Sequence, residues 1–142
     1  AFAIIIVISQ KGDVGMNIND YAGLGFKHPM LAIAMTLFML SMAGVPPMAG
    51  FVGKFYIFSA AIKSGYVGLA IIGVINSVIS VYYYLRITVI MYMKEPVRDF
   101  QPLTISPLIV VAIAIAVVGT LHLGIFPSKV MEIAQRSILT LR

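Results

Sequence analysis

The feature that most constrains this chain is an interruption in the middle of its longest apolar stretch. Residues 29–64 are apolar almost throughout. Yet they contain AGVPPMAGFVGK (43–54), with adjacent Pro46 and Pro47, three glycines (Gly44, Gly50 and Gly53) and one lysine, Lys54. As one continuous helix the segment would run about 54 Å at about 1.5 Å per residue, against a hydrocarbon core of about 30 Å. Pro46 lacks a backbone donor and clashes with the preceding turn. Split at Val45-Pro46-Pro47, the segment gives halves of about 17 residues, each a little short of a full span. Two architectures fit: one discontinuous span broken near its middle, or a tight hairpin of two short spans.

A bilayer is the solvent that makes these lengths matter. Of 142 residues, 61% are hydrophobic and 11% charged, and the mean hydropathy is +1.03. A soluble domain carries about a quarter charged residues, so this core would have too little polar surface to cover it. The expected class is all-α, a polytopic transmembrane helix bundle. The net charge of +5 comes mostly from Lys and Arg in short joins and at the C-terminus. That placement fits lipid headgroups and water rather than nucleic acid. Without cysteine, the chain can form no disulfide, thiol nucleophile or cysteine-ligated iron–sulfur cluster. It begins in mid-hydrophobic run without Met and without a basic n-region, so it reads as a piece of a longer protein and not as a signal peptide.

Along the chain, residues 1–9 read as the end of a span and residues 10–28 as a polar, glycine-rich loop. Pro29 suits the first position of the next helix. After the interrupted segment, residues 66–93 form a long span ending YYYLRITVIMYM, whose tyrosines fit an interfacial aromatic belt. Residues 94–104 are a polar loop and 105–126 a last span, broken by Pro127. Residues 128–142 read as an amphipathic tail, with Val130, Ala134, Ile138 and Leu141 on one face and Glu132 and Arg136 spaced i, i+4 on another. In the discontinuous-span topology Lys11, Lys27, Lys94 and Arg98 oppose Lys63, Lys129, Arg136 and Arg142, and the positive-inside rule is silent. In the hairpin topology the split is six against two, which the rule prefers.

Lys54 is the strongest candidate functional residue. A lysine at mid-bilayer costs about 2.5–3.5 kcal/mol on insertion scales. A lysine kept from water can gain and lose a proton where an exposed one stays charged. Its setting, a bend flanked by Gly44 and Gly50 around Pro46 and Pro47, frees backbone groups that water or neighbouring helices must satisfy. The plainer alternative is a lysine that snorkels from a hairpin to the surface. On residues 66–93, Asn76, Ser80 and Tyr84 fall at i, i+4, i+8, with Ser77 and Thr88 close to the same face. The stripe suits a wet path facing Lys54, or ordinary polar contacts between helices. Arg86 snorkels more readily than it pairs in the membrane. His122 near the end of the last span could relay protons, or be solvated at the interface. Asp13, Asp20, Glu95 and Asp99 fall in loops, which disfavours a carboxylate metal or catalytic pair. Nucleotide-loop, HExxH and Cys/His motifs are absent. These residues describe part of a transporter or ion-conducting protein with one buried lysine on a broken helix.

Residues 35–60, MTLFMLSMAGVPPMAGFVGKFYIFSA, and 73–87, GVINSVISVYYYLRI, resemble the antiporter-like membrane subunits of proton-pumping NADH-quinone oxidoreductase, respiratory complex I, in the subunit N branch. The pattern LSxAGxPPxAGFxGKFY followed by NSVxSxYYYLR carries the resemblance along nearly the whole chain. Cation/proton antiporter and membrane-bound hydrogenase subunits share the SxAGxPPxxGFxxK core; FYIFSA and YYYLR favour subunit N. The resemblance implies a C-terminal third of a bundle of about fourteen helices with two inverted repeats, each holding one interrupted helix. It places Lys54 on the second interrupted helix, in the proton path, with the break at Val45–Pro47, and so favours the discontinuous span despite the charge count. Residues 1–9 would end the eleventh helix, and 66–93 and 105–126 would be the thirteenth and fourteenth. The family's other key lysines and its glutamate would lie on earlier helices. NADH, FMN, iron–sulfur clusters and quinone would belong to other subunits, with none bound by this chain. Its partners would be the complex's other membrane subunits and the lipid bilayer, in a bacterial inner (plasma) membrane. A redox-independent cation/proton antiporter subunit and a purely structural membrane subunit are the alternative functions.

Overall fold

A computed structural model describes residues 1–9, 17–96, 105–128 and 130–133. Those residues form helices α1 (Phe2–Ser9), α2 (Leu24–Lys27), α3 (Pro29–Ala43), α4 (Ala49–Lys63), α5 (Val67–Met93) and α6 (Pro107–Ile125), with a 3-10 turn at Ile18–Tyr21 before α2. Among the described residues there is no strand, and the fold is an all-α bundle. Pro29 and Pro107 open α3 and α6 where a missing N–H is harmless. Gly65 closes α4 with φ +84°; Tyr66 N–H donates to the Ala61 carbonyl at 2.9 Å and Gly65 N–H to that of Ile62 at 3.0 Å. This is a Schellman stop, and it lets α5 turn back tightly along α4.

The packed centre gathers on α3. Leu31, Ala32, Met35, Phe38 and Met39 are buried against Ile4, Val7 and Ile8 of α1, Leu24, Met91 of α5 and Ile113 of α6. No residue of α4 is buried, and α5 and α6 present many large apolar side chains outward, Leu69, Ile72, Val78, Leu108 and Val118 among them. α5 and α6 are long and apolar enough to cross a membrane, and such outward faces suit lipid or further helices.

The packing distinguishes a broken span from a hairpin. Gly25, just before α3, lies against the Tyr92 ring and the Met91 carbonyl at the end of α5, whereas Gly73 near the start of α5 lies against Phe58 of α4. Lys94 Nζ also donates to Asn19 Oδ1 at 3.3 Å. α5 therefore runs antiparallel first along α4 and then along α3. Its 27 residues span about 40 Å, close to the combined length of α3 and α4 at about 22 Å each. In a hairpin, the end of α4 would return to the level where α3 begins. The two half-helices instead continue in one direction, and the interruption falls near the middle.

The stretch expected as a loop before Pro29 is more structured than its glycines suggest. Within it Tyr21, Ala22 and Leu24 are buried. Gly23, at φ +76°, turns the chain where Pro96 leaves no room for a Cβ. Apolar residues placed at 21, 22 and 24 cover the end of the core, which outweighs the polarity of their neighbours. Of the expected amphipathic tail, residues 130–133 are helical; Lys129 and residues 134–142, including Arg136, Ile138 and Leu141, lie outside the described residues.

Candidate functional site

Residues 44–48 separate α3 from α4. Gly44 takes φ +91°, a left-handed conformation that glycine adopts without a Cβ clash. Its N–H donates to the Leu40 and Ser41 carbonyls at 3.1 and 3.0 Å, and Val45 N–H donates to Leu40 at 3.1 Å. This Schellman pattern satisfies two of the last four carbonyls of α3. The Pro46–Pro47 peptide bond is cis, and Met48, in extended conformation, caps α4. Gly44, Pro46 and Pro47 thus lie in the interruption. Gly50 sits one step further on, inside the first turn of α4, and serves close packing rather than the break itself. A Cβ on Gly50 would run into the Ser41 carbonyl.

The other two terminal carbonyls of α3 belong to Lys54. Its Nζ donates to the Met42 carbonyl at 3.0 Å and the Ala43 carbonyl at 2.9 Å. The side chain leaves α4 toward that helix's own N-terminus, as helical side chains do. Its stem passes over Gly44, where a Cβ would stand 3.0 Å from Lys54 Cδ. Lys54 is half-buried. An ammonium here sits at the negative end of the α3 dipole and makes charge-assisted bonds to two carbonyls that would otherwise be orphans. Among the described residues, the groups that stabilise a positive charge here are backbone carbonyls, at a partly exposed position on the bundle.

The stitching is reciprocal. Ser41, 8% exposed, is the buried polar side chain at the break. Its Oγ accepts the Gly50 N–H at 3.2 Å, capping one of the free donors at the start of α4. Ser41 stands in the same motif as Lys54, but its residue type alone does not mark it. The available signal was a serine within one turn of a helix-ending glycine, opposite a second helix start. On the far side of the break, α6 closes in: Gly124 lies against the Pro47 carbonyl and the Met48 backbone, with no room for a Cβ.

The other candidates are only partly brought together. Ser80 and Tyr84 are half-buried on α5, while Asn76 is exposed. With Asn76 at 0° and about 100° per residue, Ser77, Ser80, Tyr84 and Thr88 fall at about 100°, 40°, 80° and 120°. The inward stripe is therefore centred away from Asn76, which lies at its edge. Ser80 Oγ donates to the Ser77 carbonyl at 2.7 Å, Tyr84 packs on the core, and the buried Thr88 hydroxyl has no partner among the described residues. One turn before Phe58 and one turn after Gly73, antiparallel packing sets Lys54 level with Ser77. His122 is exposed, with its ring 5.6 Å from that of Phe126, and no described contact joins it to Lys54. Arg86 is exposed. Among the described residues, no three His, Cys, Asp or Glu side chains gather as a metal site.

Comparison with known proteins agrees with the resemblance read from the motifs. Residues 1–80 match the family model described as NADH:quinone oxidoreductase/Mrp antiporter, TM. NADH-quinone oxidoreductase subunit N of Trichlorobacter lovleyi is 49% identical over 138 residues, covering 97% of this chain and 28% of that protein. Subunit N of Paramagnetospirillum magneticum is 52% identical over 119 residues, covering 83% of this chain and 24% of its own length. Among solved structures, respiratory complex I from Thermus thermophilus with bound aureothin contains a chain that matches with a TM-score of 0.70 at 32% identity. The match covers 78% of this chain and 26% of that one. The chain spans about a quarter of the length of these relatives. With a matching family model over more than half its length, and with apolar helices long enough to cross a bilayer, this integral membrane chain belongs to the NADH:quinone oxidoreductase/Mrp antiporter transmembrane family.

Proposed function

We propose that this chain is the C-terminal part of a proton-translocating membrane subunit of NADH-quinone oxidoreductase, and that Lys54 is its protonatable relay. The observation that carries the reading is the Lys54 amine, held at 2.9–3.0 Å by the two free carbonyls of an interrupted helix. Among the described residues the amine meets carbonyls and no carboxylate, so in this reading a proton can arrive and leave without breaking an ion pair. The relatives' name supplies the wider setting, an NADH-quinone oxidoreductase; in this reading electrons pass from NADH to quinone through FMN and iron–sulfur clusters on other subunits. A change of charge or conformation reaching the break from there would alter how well the amine holds its proton. Uptake then follows on one side and release on the other. In this role the chain takes part in an enzyme without a redox site of its own. It is bound among other membrane subunits and lipid, and the bacterial origin of its relatives supports a bacterial inner membrane. Ser80 and Tyr84 line the inward face of α5 on the approach to the site; Asn76 and His122 have the weaker claim. Lys54→Ala in the assembled complex is expected to abolish or strongly lower pumping, and Lys54→Arg to retain part of it. Normal pumping by an assembled Lys54→Ala complex would refute the assignment.

A further inference from the structure

We infer that Ser41 is a positioning residue for the Lys54 amine, setting the register in which the second half-helix meets the first. The inference rests on the relay reading for its functional consequence, but its geometry stands independently. Ser41 touches the start of α4 twice. Its carbonyl fills the space where Gly50 would carry a Cβ, and its hydroxyl accepts the Gly50 N–H at 3.2 Å. Gly50 and Lys54 are i and i+4 on α4 and share a face. Met42 and Ala43, which receive the amine, are the two residues that follow Ser41. The Ser41–Gly50 contact and the Lys54 contact are thus successive rungs between the same two helix ends. A slip of α4 at the first rung carries the amine away from the second, because Gly44 leaves only enough space for the lysine stem to lie close over the break.

Ser41 also gives the two helix ends a division of labour. A hydroxyl can accept from an N–H at a helix start, while an ammonium can only donate to carbonyls at a helix end. The two side chains therefore cross the break in opposite directions and cannot exchange roles. This polarity fixes which half-helix carries the charged group and which carries the neutral one.

The test uses the full-length subunit in the assembled complex, in membrane vesicles. Lys54 is probed with acetic anhydride, a small amine-acylating reagent, and its acylation is followed by peptide mass spectrometry. Ser41→Ala removes the acceptor and is expected to speed acylation of Lys54 about 3–10-fold, the factor for one ordinary hydrogen bond. Ser41→Thr, which keeps a hydroxyl, is expected to restore the slow rate. Protons pumped per NADH oxidised should fall at least about two-fold in Ser41→Ala. In the Lys54→Ala background Ser41→Ala should cause no further loss, since residues acting through one group are not additive. Ser41→Cys, close in size but a poor acceptor, carries the same expectations if the alanine variant fails to assemble. Unchanged acylation in these variants, or a pumping loss that adds to that of Lys54→Ala, overturns the inference. If acylation rises while Lys54→Ala pumps normally, the relay reading fails and the positioning stands. If Lys54→Ala stops pumping and Ser41→Ala changes nothing, only the positioning fails.

Discussion

Gly50 and Gly53 lie three residues apart on α4, and their surroundings predict opposite responses to the same added methyl. A Cβ at Gly50 meets the Ser41 carbonyl and carbonyl carbon. These are backbone atoms in the last turn of α3, with no flexible side chain to swing aside. Overpacking of this kind costs about 1–3 kcal/mol. Moving the turns apart also stretches the Gly50 N–H to Ser41 Oγ bond, worth about 0.5–1.5 kcal/mol. The better helix propensity of alanine returns about 0.8–1.0 kcal/mol. The net for Gly50→Ala is a loss of about 0.5–4 kcal/mol. Among the described residues a Cβ at Gly53 meets nothing within 4 Å, so they leave only the propensity gain, about 0.8–1.0 kcal/mol in favour. Both variants are made in the full-length subunit, and its retention in the complex is followed against temperature by native electrophoresis. Gly50→Ala should release the subunit at lower temperature than wild type, and Gly53→Ala at an equal or higher one. Indistinguishable profiles for the two variants would refute the close contact at the break.

Gly44→Ala forces a side chain into φ +91° and against the Lys54 stem. It should destabilise by about 1–2 kcal/mol from the backbone alone, lowering the same release temperature, and should displace the amine enough to speed Lys54 acylation. Outside the membrane, burial and the neighbouring Asp20 carboxylate raise the Tyr21 phenol above its ordinary value of 10.0. The folded state holds that proton more tightly than the unfolded chain. This contribution is therefore complete below about pH 10 and is lost as pH rises toward the folded value. Tyr21→Phe should flatten the fall in thermal stability between about pH 9 and pH 11 relative to wild type; an unchanged alkaline decline would count against it.

Much of the site is legible in the sequence because its causes are local. Two adjacent prolines and a glycine dictate that the helix stops near residue 45 whatever surrounds it, and a lysine among phenylalanines is conspicuous by composition alone. What could not be read was which groups meet across the break. Ser41 is one of several serines in apolar helix. Only the offset between two helix ends, set by the tight approach of Gly50, shows that its hydroxyl faces a free N–H. The positive-inside rule favours a hairpin because it tallies side chains at loop ends, whereas the course of α5 past α4 and then α3 is decided by side-chain fit at Gly73 and Gly25. The edge position of Asn76 has a similar origin: an i, i+4, i+8 pattern drifts about 40° per step, and the drift direction becomes visible only once the inward face is known. The order in residues 18–27 went unseen because a few buried apolar groups settled it among many polar neighbours.

The uninterrupted α5 lies beside both half-helices like a splint beside a fractured bone. The joint at residues 44–48 therefore cannot simply flex in place. If α4 shifts against α3, it must also glide along α5, where the Phe58 ring rests on Gly73. An event at the level of the lysine would then be felt more than a full turn away, at the closed end where α4 and α5 meet. Distance changes between those two helices would be the outward sign of a motion that begins in the interior.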